Sequence, residues 1–133
     1  MTPAALINLS LEQVAETLGD PTALVFARMY ERFPELAHFR GEDSSWENYM
    51  MQEILANLLQ YADDPETALV TIKDMTAHHQ LIGLPAEVFK GMYSTLLEVL
   101  DPAFQGEHRP AMVDAWRQVI GAVHQVVDRQ SGI

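Results

Sequence analysis

The chain has 133 residues, 48% of them apolar, with 8 basic against 19 acidic side chains, a net charge of −11 and no cysteine. That length suits one domain with a sizeable core, and the apolar share argues against disorder. The missing thiols exclude a disulfide scaffold, a thiolate nucleophile, a Cys-ligated zinc site and an iron–sulfur cluster, and the acidic balance disfavours nucleic acid and anionic membranes as partners.

The punctuation along the chain is helical. Ser10-Leu11-Glu12-Gln13 has the form of a capping box and predicts a first helix that ends near Gly19. Asp20-Pro21 places an N-cap before a first-turn proline, and the helix behind it carries Leu24, Val25, Met29 and Phe33. Pro34 interrupts, and PELAHF reads as a short turn of helix. After the GEDSS loop at 41–45, a helix runs to about Tyr61 with Met50, Ile54, Leu58 and Tyr61 as its inner stripe. Met51, Leu55 and Leu59 lie beside that stripe. Asp64-Pro65-Glu66 opens the next helix, which places Leu69, Ile72, Met75 and His79 on one face and closes near Gly83. Pro85 opens a helix bearing Val88, Phe89, Met92, Leu96, Val99 and Leu100, and Asp101-Pro102 breaks it. A last helix begins near Arg109-Pro110 and carries Met112, Val113, Trp116, Val119, Val123 and Val127.

No segment alternates as a strand does, and no repeat or linker divides the chain. The expectation is an all-α fold of six or seven helices in one domain, 1–133. No apolar run approaches the ~20 residues a membrane span needs, and MTPAALINLSLEQ lacks a basic leader followed by a long apolar run. A soluble, cytoplasmic protein is expected.

The adjacent histidines 78 and 79 divide by helical geometry. His79 is in line with Ile72 and Met75 and points inward; His78 is turned roughly 100° away, toward the rim, four residues after Asp74. An inward histidine is either a core side chain whose ring nitrogens have found partners or a ligand to metal or haem. A non-haem metal site is disfavoured, because HEXXH spacing is absent and His38, His108 and His124 fall in separate segments. Nucleophile-elbow, GxGxxG and phosphate-loop patterns are also missing. Carboxylate pairs such as Asp63-Asp64 and Glu42-Asp43 fall in loops and caps.

Three segments in order resemble the globin superfamily, in particular bacterial single-domain globins and flavohaemoglobin globin domains. FARMYERFPELAHF (26–39) resembles their second helix and corner, HHQLIGLPAEVF (78–89) their proximal segment, and DAWRQVIGAVHQVV (114–127) their final helix. The resemblance spans about residues 9 to 128 and implies a haem pocket. By position it places the proximal iron ligand at His79, the corner Phe at Phe39 and the distal residue of the second helix at Phe26. Counts from Phe39 and back from His79 both place the distal-helix position at Met50, with Ile54 one turn later. Met75 and Phe89 complete the implied haem contacts, and His38, Arg40 and His78 are the nearest cations for the propionates. The implied cofactor is haem b, and the implied ligand a diatomic gas (O2, NO or CO) that is carried, scavenged or sensed.

The departures from the family are informative. Phe26 and Met50 offer no hydrogen-bond donor to a bound ligand. Flavohaemoglobin-like enzymes carry Tyr at the place of Phe26 and Gln near that of Met50. They also have Tyr and Glu behind the proximal His, positions that fall here on Phe89 and Ser131. These differences argue against an efficient NO dioxygenase. No flavin or nicotinamide domain follows, so electrons would come from a separate reductase; a homodimer is compatible with the chain. Two alternatives stay open: a haem-free regulatory module with its pocket filled by Phe26, Met50 and Met75, and an electron-transfer globin in which Met50 ligates the iron opposite His79.

Overall fold

A computed structural model describes residues 1–39, 45–81 and 83–130. Among these residues the elements are α1 (Pro3–Leu18), α2 (Thr22–Arg32), a 3₁₀ segment (Pro34–Phe39), α3 (Ser45–Asp63), α4 (Pro65–Leu81), α5 (Ala86–Leu100), a second 3₁₀ turn (Asp101–Ala103) and α6 (Arg109–Gln130). The described residues contain no strand, and the fold is all-α as expected.

The first helix starts earlier than Ser10. Thr2 caps it, its hydroxyl accepting from the Ala5 amide at 3.1 Å, and Pro3 occupies the first turn. Ser10 is instead a fully buried mid-helix residue. Its hydroxyl donates to the Ile7 carbonyl at 2.6 Å and accepts from the Trp116 indole N–H at 2.8 Å. The capping-box pattern is therefore coincidental here: the serine satisfies a buried tryptophan and does not start a helix.

Most other boundaries follow the local signals. Asp20 accepts from both the amide and the hydroxyl of Thr22, at 3.0 and 2.6 Å, and these bonds hold its carboxyl below the usual range. Asp64 accepts from the Thr67 hydroxyl at 2.7 Å at the start of α4. Past the end of α4, Gly83 takes φ +91°, a backbone that side chains resist, and the Leu84 amide returns to the His79 carbonyl at 2.9 Å. On α2 the inner face is Val25, Phe26 and Met29, whereas Leu24 is 52% exposed. One residue of offset is about 100° of helix, which carries Leu24 off the stripe.

The core is built on Trp116, Tyr93, Phe89, Ile7, Met29 and Leu58, all fully buried. Helix α3 packs on α4, α4 on α6, α1 on α6 and α3, and α2 on α5. Only Asp64 separates α3 from α4, and residues at the start of α3 share a cavity with residues at the end of α4. The two helices therefore fold back on each other, and a cleft opens at the end away from their junction. No described helix is long and apolar enough to cross a membrane.

Replacing Ser10 with Ala strands the Trp116 N–H in the core without an acceptor. The expected cost is about 1–3 kcal/mol in urea-unfolding stability; an unchanged midpoint with unchanged slope would contradict the assigned role.

Candidate functional site

The cleft between α3 and α4 holds a cavity of about 420 Å³ lined by Trp46, Tyr49, Met50, Glu53, Asp74, Met75, His78 and His79. That volume lies within the roughly 300–1,000 Å³ range of small-molecule and cofactor sites. Deeper in, a cavity of about 40 Å³ is lined by Leu36, Phe39, Trp46, Met50, His79, Leu84 and Met92. Met50, Trp46 and His79 border both, so the two are parts of one site.

His79 is 9% exposed and is held on two sides. Its Nδ1 lies 2.6 Å from the Met75 carbonyl, one helical turn back. A carbonyl only accepts, so Nδ1 carries the proton and donates. Nε2 is then the basic nitrogen, and it takes no partner among the described residues. The ring also packs on Phe89, with centroids 4.9 Å apart and planes at 35°. Phe89 in turn meets the edge of Tyr93 at 5.6 Å. Phe89 thus reaches the site through the imidazole rather than by lining the cleft.

Behind this imidazole lies a polar group that the sequence pattern did not single out. Asn57, buried on α3, donates from Nδ2 to the Met75 sulfur at 2.9 Å and to the Tyr93 hydroxyl at 3.5 Å. Burial pushes the Tyr93 hydroxyl up to about 12; the hydrogen bond from Asn57 opposes this, and the Glu53 carboxylate adds to it.

The remaining site residues are placed as follows. Phe39 is half-buried and lines the deep cavity; Met75 is half-buried and lines the wider one. Met50 is buried and lines both. Phe26 is buried but stands one ring away from the cleft: it packs edge-on against Trp46, with centroids 5.5 Å apart, and borders a separate crevice between α2 and α3. Ile54 is buried in the core below the cleft. Of the three expected cations, His78 is exposed at the rim beside Asp74 and Glu53, His38 is exposed on the 3₁₀ segment, and Arg40 lies outside the described residues, as does Ser131. Among the described residues no three His, Cys, Asp or Glu side chains converge.

Trp46, Leu36, Leu84 and Met92 are lining residues that the sequence reading missed. Trp46 had a legible signal: it stands one turn before Met50 on the same stripe. Asn57 did too, as a polar residue on the stripe of Met50, Ile54 and Leu58.

The geometry is that of an all-α domain with a buried imidazole at the wall of a cleft between two antiparallel helices. The comparisons with known proteins make this specific. The globin family model matches residues 49–127. A globin of Tritia mutabilis is similar at 27% identity over 121 residues, covering 81% of this chain and 82% of that one. The chain belongs to the globin family. The finer likeness to bacterial globins rests on the three segments alone.

The raised Tyr93 hydroxyl has a consequence for stability. Unfolded, a tyrosine ionises near pH 10; in the fold Tyr93 keeps its proton to about 12. Above pH 10 the unfolded state sheds a proton that the native state retains, so stability falls as pH rises through this interval. The expected loss is on the order of 2–3 kcal/mol by pH 12. Tyr93→Phe should remove this part of the slope in denaturant titrations; parallel curves for the two proteins over that interval would contradict the assignment.

Proposed function

We propose that this protein is a haem-binding globin that takes a diatomic gas ligand (O2, NO or CO) reversibly, with His79 as the proximal iron ligand. The observation that carries this reading is the state of the His79 ring: Nδ1–H is used by the Met75 carbonyl, and the basic Nε2 is left at the wall of an α3–α4 cleft. Family membership supports a globin-type role, and globins typically bind haem.

The residues present fit that group. A neutral imidazole is the commonest metal-ligating side chain, and a hydrogen bond from its second nitrogen to a carbonyl fixes the tautomer and raises ligand basicity. Phe39, Trp46 and Met50 supply apolar walls, and Leu84 and Met92 close the deep end. Haem b, when bound, would supply an iron centre that takes a small ligand. His79 would hold it, and the apolar walls would exclude water from it.

The character of the far side follows from which groups face it. The Met50 side chain, which lines both cavities, has no N–H or O–H. The Trp46 indole is the lining residue of α3 that carries an N–H and the Tyr49 phenol an O–H. Tyr49 is 61% exposed, toward the mouth. A pocket with few side-chain donors, the Trp46 indole at depth and the Tyr49 phenol at the mouth among them, favours reversible exchange over activation of a polar ligand. A carrier, scavenger or sensor fits better than an NO dioxygenase. One observation keeps a second reading: the Met50 thioether borders both cavities together with His79. His/Met ligation would raise the iron's reduction potential and suit electron transfer.

Haemin titration tests both. The wild type is expected to take up one equivalent with a Soret band. His79→Gly should weaken uptake by at least the roughly 10–100-fold that loss of an outer-shell partner costs, and added imidazole should restore the band. A His79→Gly protein with unchanged affinity and spectrum would overturn the proposal. A ferric low-spin spectrum lost in Met50→Ala would favour the second reading; an unchanged spectrum would remove it.

A further inference from the structure

Five residues from three helices, His79 among them, form a circuit of contacts behind the cleft, in which Met75 meets His79 with its backbone carbonyl and Asn57 with its sulfur. From His79 one arm runs through its Nδ1 to the Met75 carbonyl, at 2.6 Å. The other runs through the ring contact with Phe89, at 4.9 Å, and on to the edge of Tyr93, at 5.6 Å. The far ends of the arms are the Met75 sulfur and the Tyr93 hydroxyl. Both are met by the same atom, Nδ2 of Asn57, at 2.9 and 3.5 Å. A primary amide nitrogen carries two N–H groups, so it can serve both acceptors at once.

We infer that Asn57 is a positioning residue for His79: its amide holds Tyr93, and through Phe89 the ring contact on the imidazole, while also pinning the Met75 side chain at the cleft wall, and so fixes the orientation of the imidazole in the cleft. This rests on the reading of His79 as the proximal ligand.

Three considerations favour this role. Asn57 is 4% exposed and Tyr93 is fully buried, so unmade hydrogen bonds here would be costly. An aliphatic side chain of similar size, such as the Leu that follows at 58, would fill the same core position without that risk. Asn57 also belongs to α3, the helix that carries Met50 and Trp46, whereas Met75 and His79 belong to α4 and Phe89 and Tyr93 to α5. The amide therefore ties the wall opposite His79 to the groups that hold its ring. A thioether is flexible and a weak acceptor. Without the amide, Met75 can change rotamer at the cleft wall beside the imidazole, and Phe89 can tilt with Tyr93, so the ring contact that sets the imidazole plane loosens while the backbone carbonyl of Met75 stays in the helix.

The test uses Asn57→Leu, which deletes both donors at near-constant volume, and Tyr93→Phe, which deletes one acceptor and keeps the ring. In the haem-free protein, histidine ¹⁵N spectra of the wild type should show His79 as a single tautomer protonated at Nδ1. Both variants should show averaging between tautomers, Asn57→Leu the more. In haemin-loaded protein, Asn57→Leu should shift the reduction potential and speed haemin loss by about 10–100-fold, the usual effect of an outer-shell change. Tyr93→Phe should fall between it and the wild type. Folded variants with the wild-type ¹⁵N pattern would overturn the positioning role. An Asn57→Leu chain that fails to fold leaves Tyr93→Phe to decide by the same spectra. Should the wild type refuse haemin, the proposed function fails, and the haem-free spectra still decide whether Asn57 orients the ring.

Discussion

One hydrogen bond organises the site: the His79 Nδ1–H to the Met75 carbonyl, within a single turn of α4. A ring with two nitrogens at an apolar wall has two polar groups to satisfy. The helix satisfies one from its own backbone, which costs no additional buried partner and leaves Nε2 basic. The same turn is where α4 ends. The His79 carbonyl takes the Leu84 amide, and Gly83 supplies the positive φ that turns the chain toward α5. Helix end, ring orientation and the approach of Phe89 are consequently set together. A change that displaced this turn would move the basic Nε2 of His79, the lining residue Leu84 and the start of α5 at once.

Much of this was legible in the sequence because period and punctuation agreed. The inner stripes of α3, α4 and α5 were read from spacing alone, and the turn residues at 20–21, 64–65, 83–85 and 101–102 mark real boundaries. The inward direction of His79 and the outward one of His78 followed from the ~100° per residue of a helix. The misreadings have physical causes. Ser10 mimics a cap because a serine that back-bonds to its own helix looks, in sequence, like one that starts it; only Trp116, 106 residues on, tells them apart. Leu24 is apolar but stands about 100° off the stripe of α2, so composition points it inward where helix angle turns it to solvent.

The site itself was legible in part. His79, Met50, Phe39 and Met75 do come to one cleft, from three segments of which only the spacing was visible. Phe26 comes one ring short, because Trp46 stands between it and the cavity. Asn57 and Tyr93 went unnoticed since neither makes a motif. A lone amide among apolar residues becomes meaningful only once its two acceptors, 18 and 36 residues away, are known to face it. The cleft that results is apolar at depth and acidic at its rim, where Glu53 and Asp74 stand beside His78. Such a rim gives little attraction to free anions, so what the cleft retains must be held by its apolar walls and the buried imidazole of His79.

The most direct measurement of the central claim is the low-frequency resonance Raman spectrum of the reduced, haemin-loaded protein, recorded with natural and with ¹⁵N-labelled histidine. An iron–imidazole stretch that moves on labelling, and that vanishes in His79→Gly until imidazole is added, is what this account predicts. A band indifferent to the label, or one that persists without residue 79, would mean that the iron is held elsewhere.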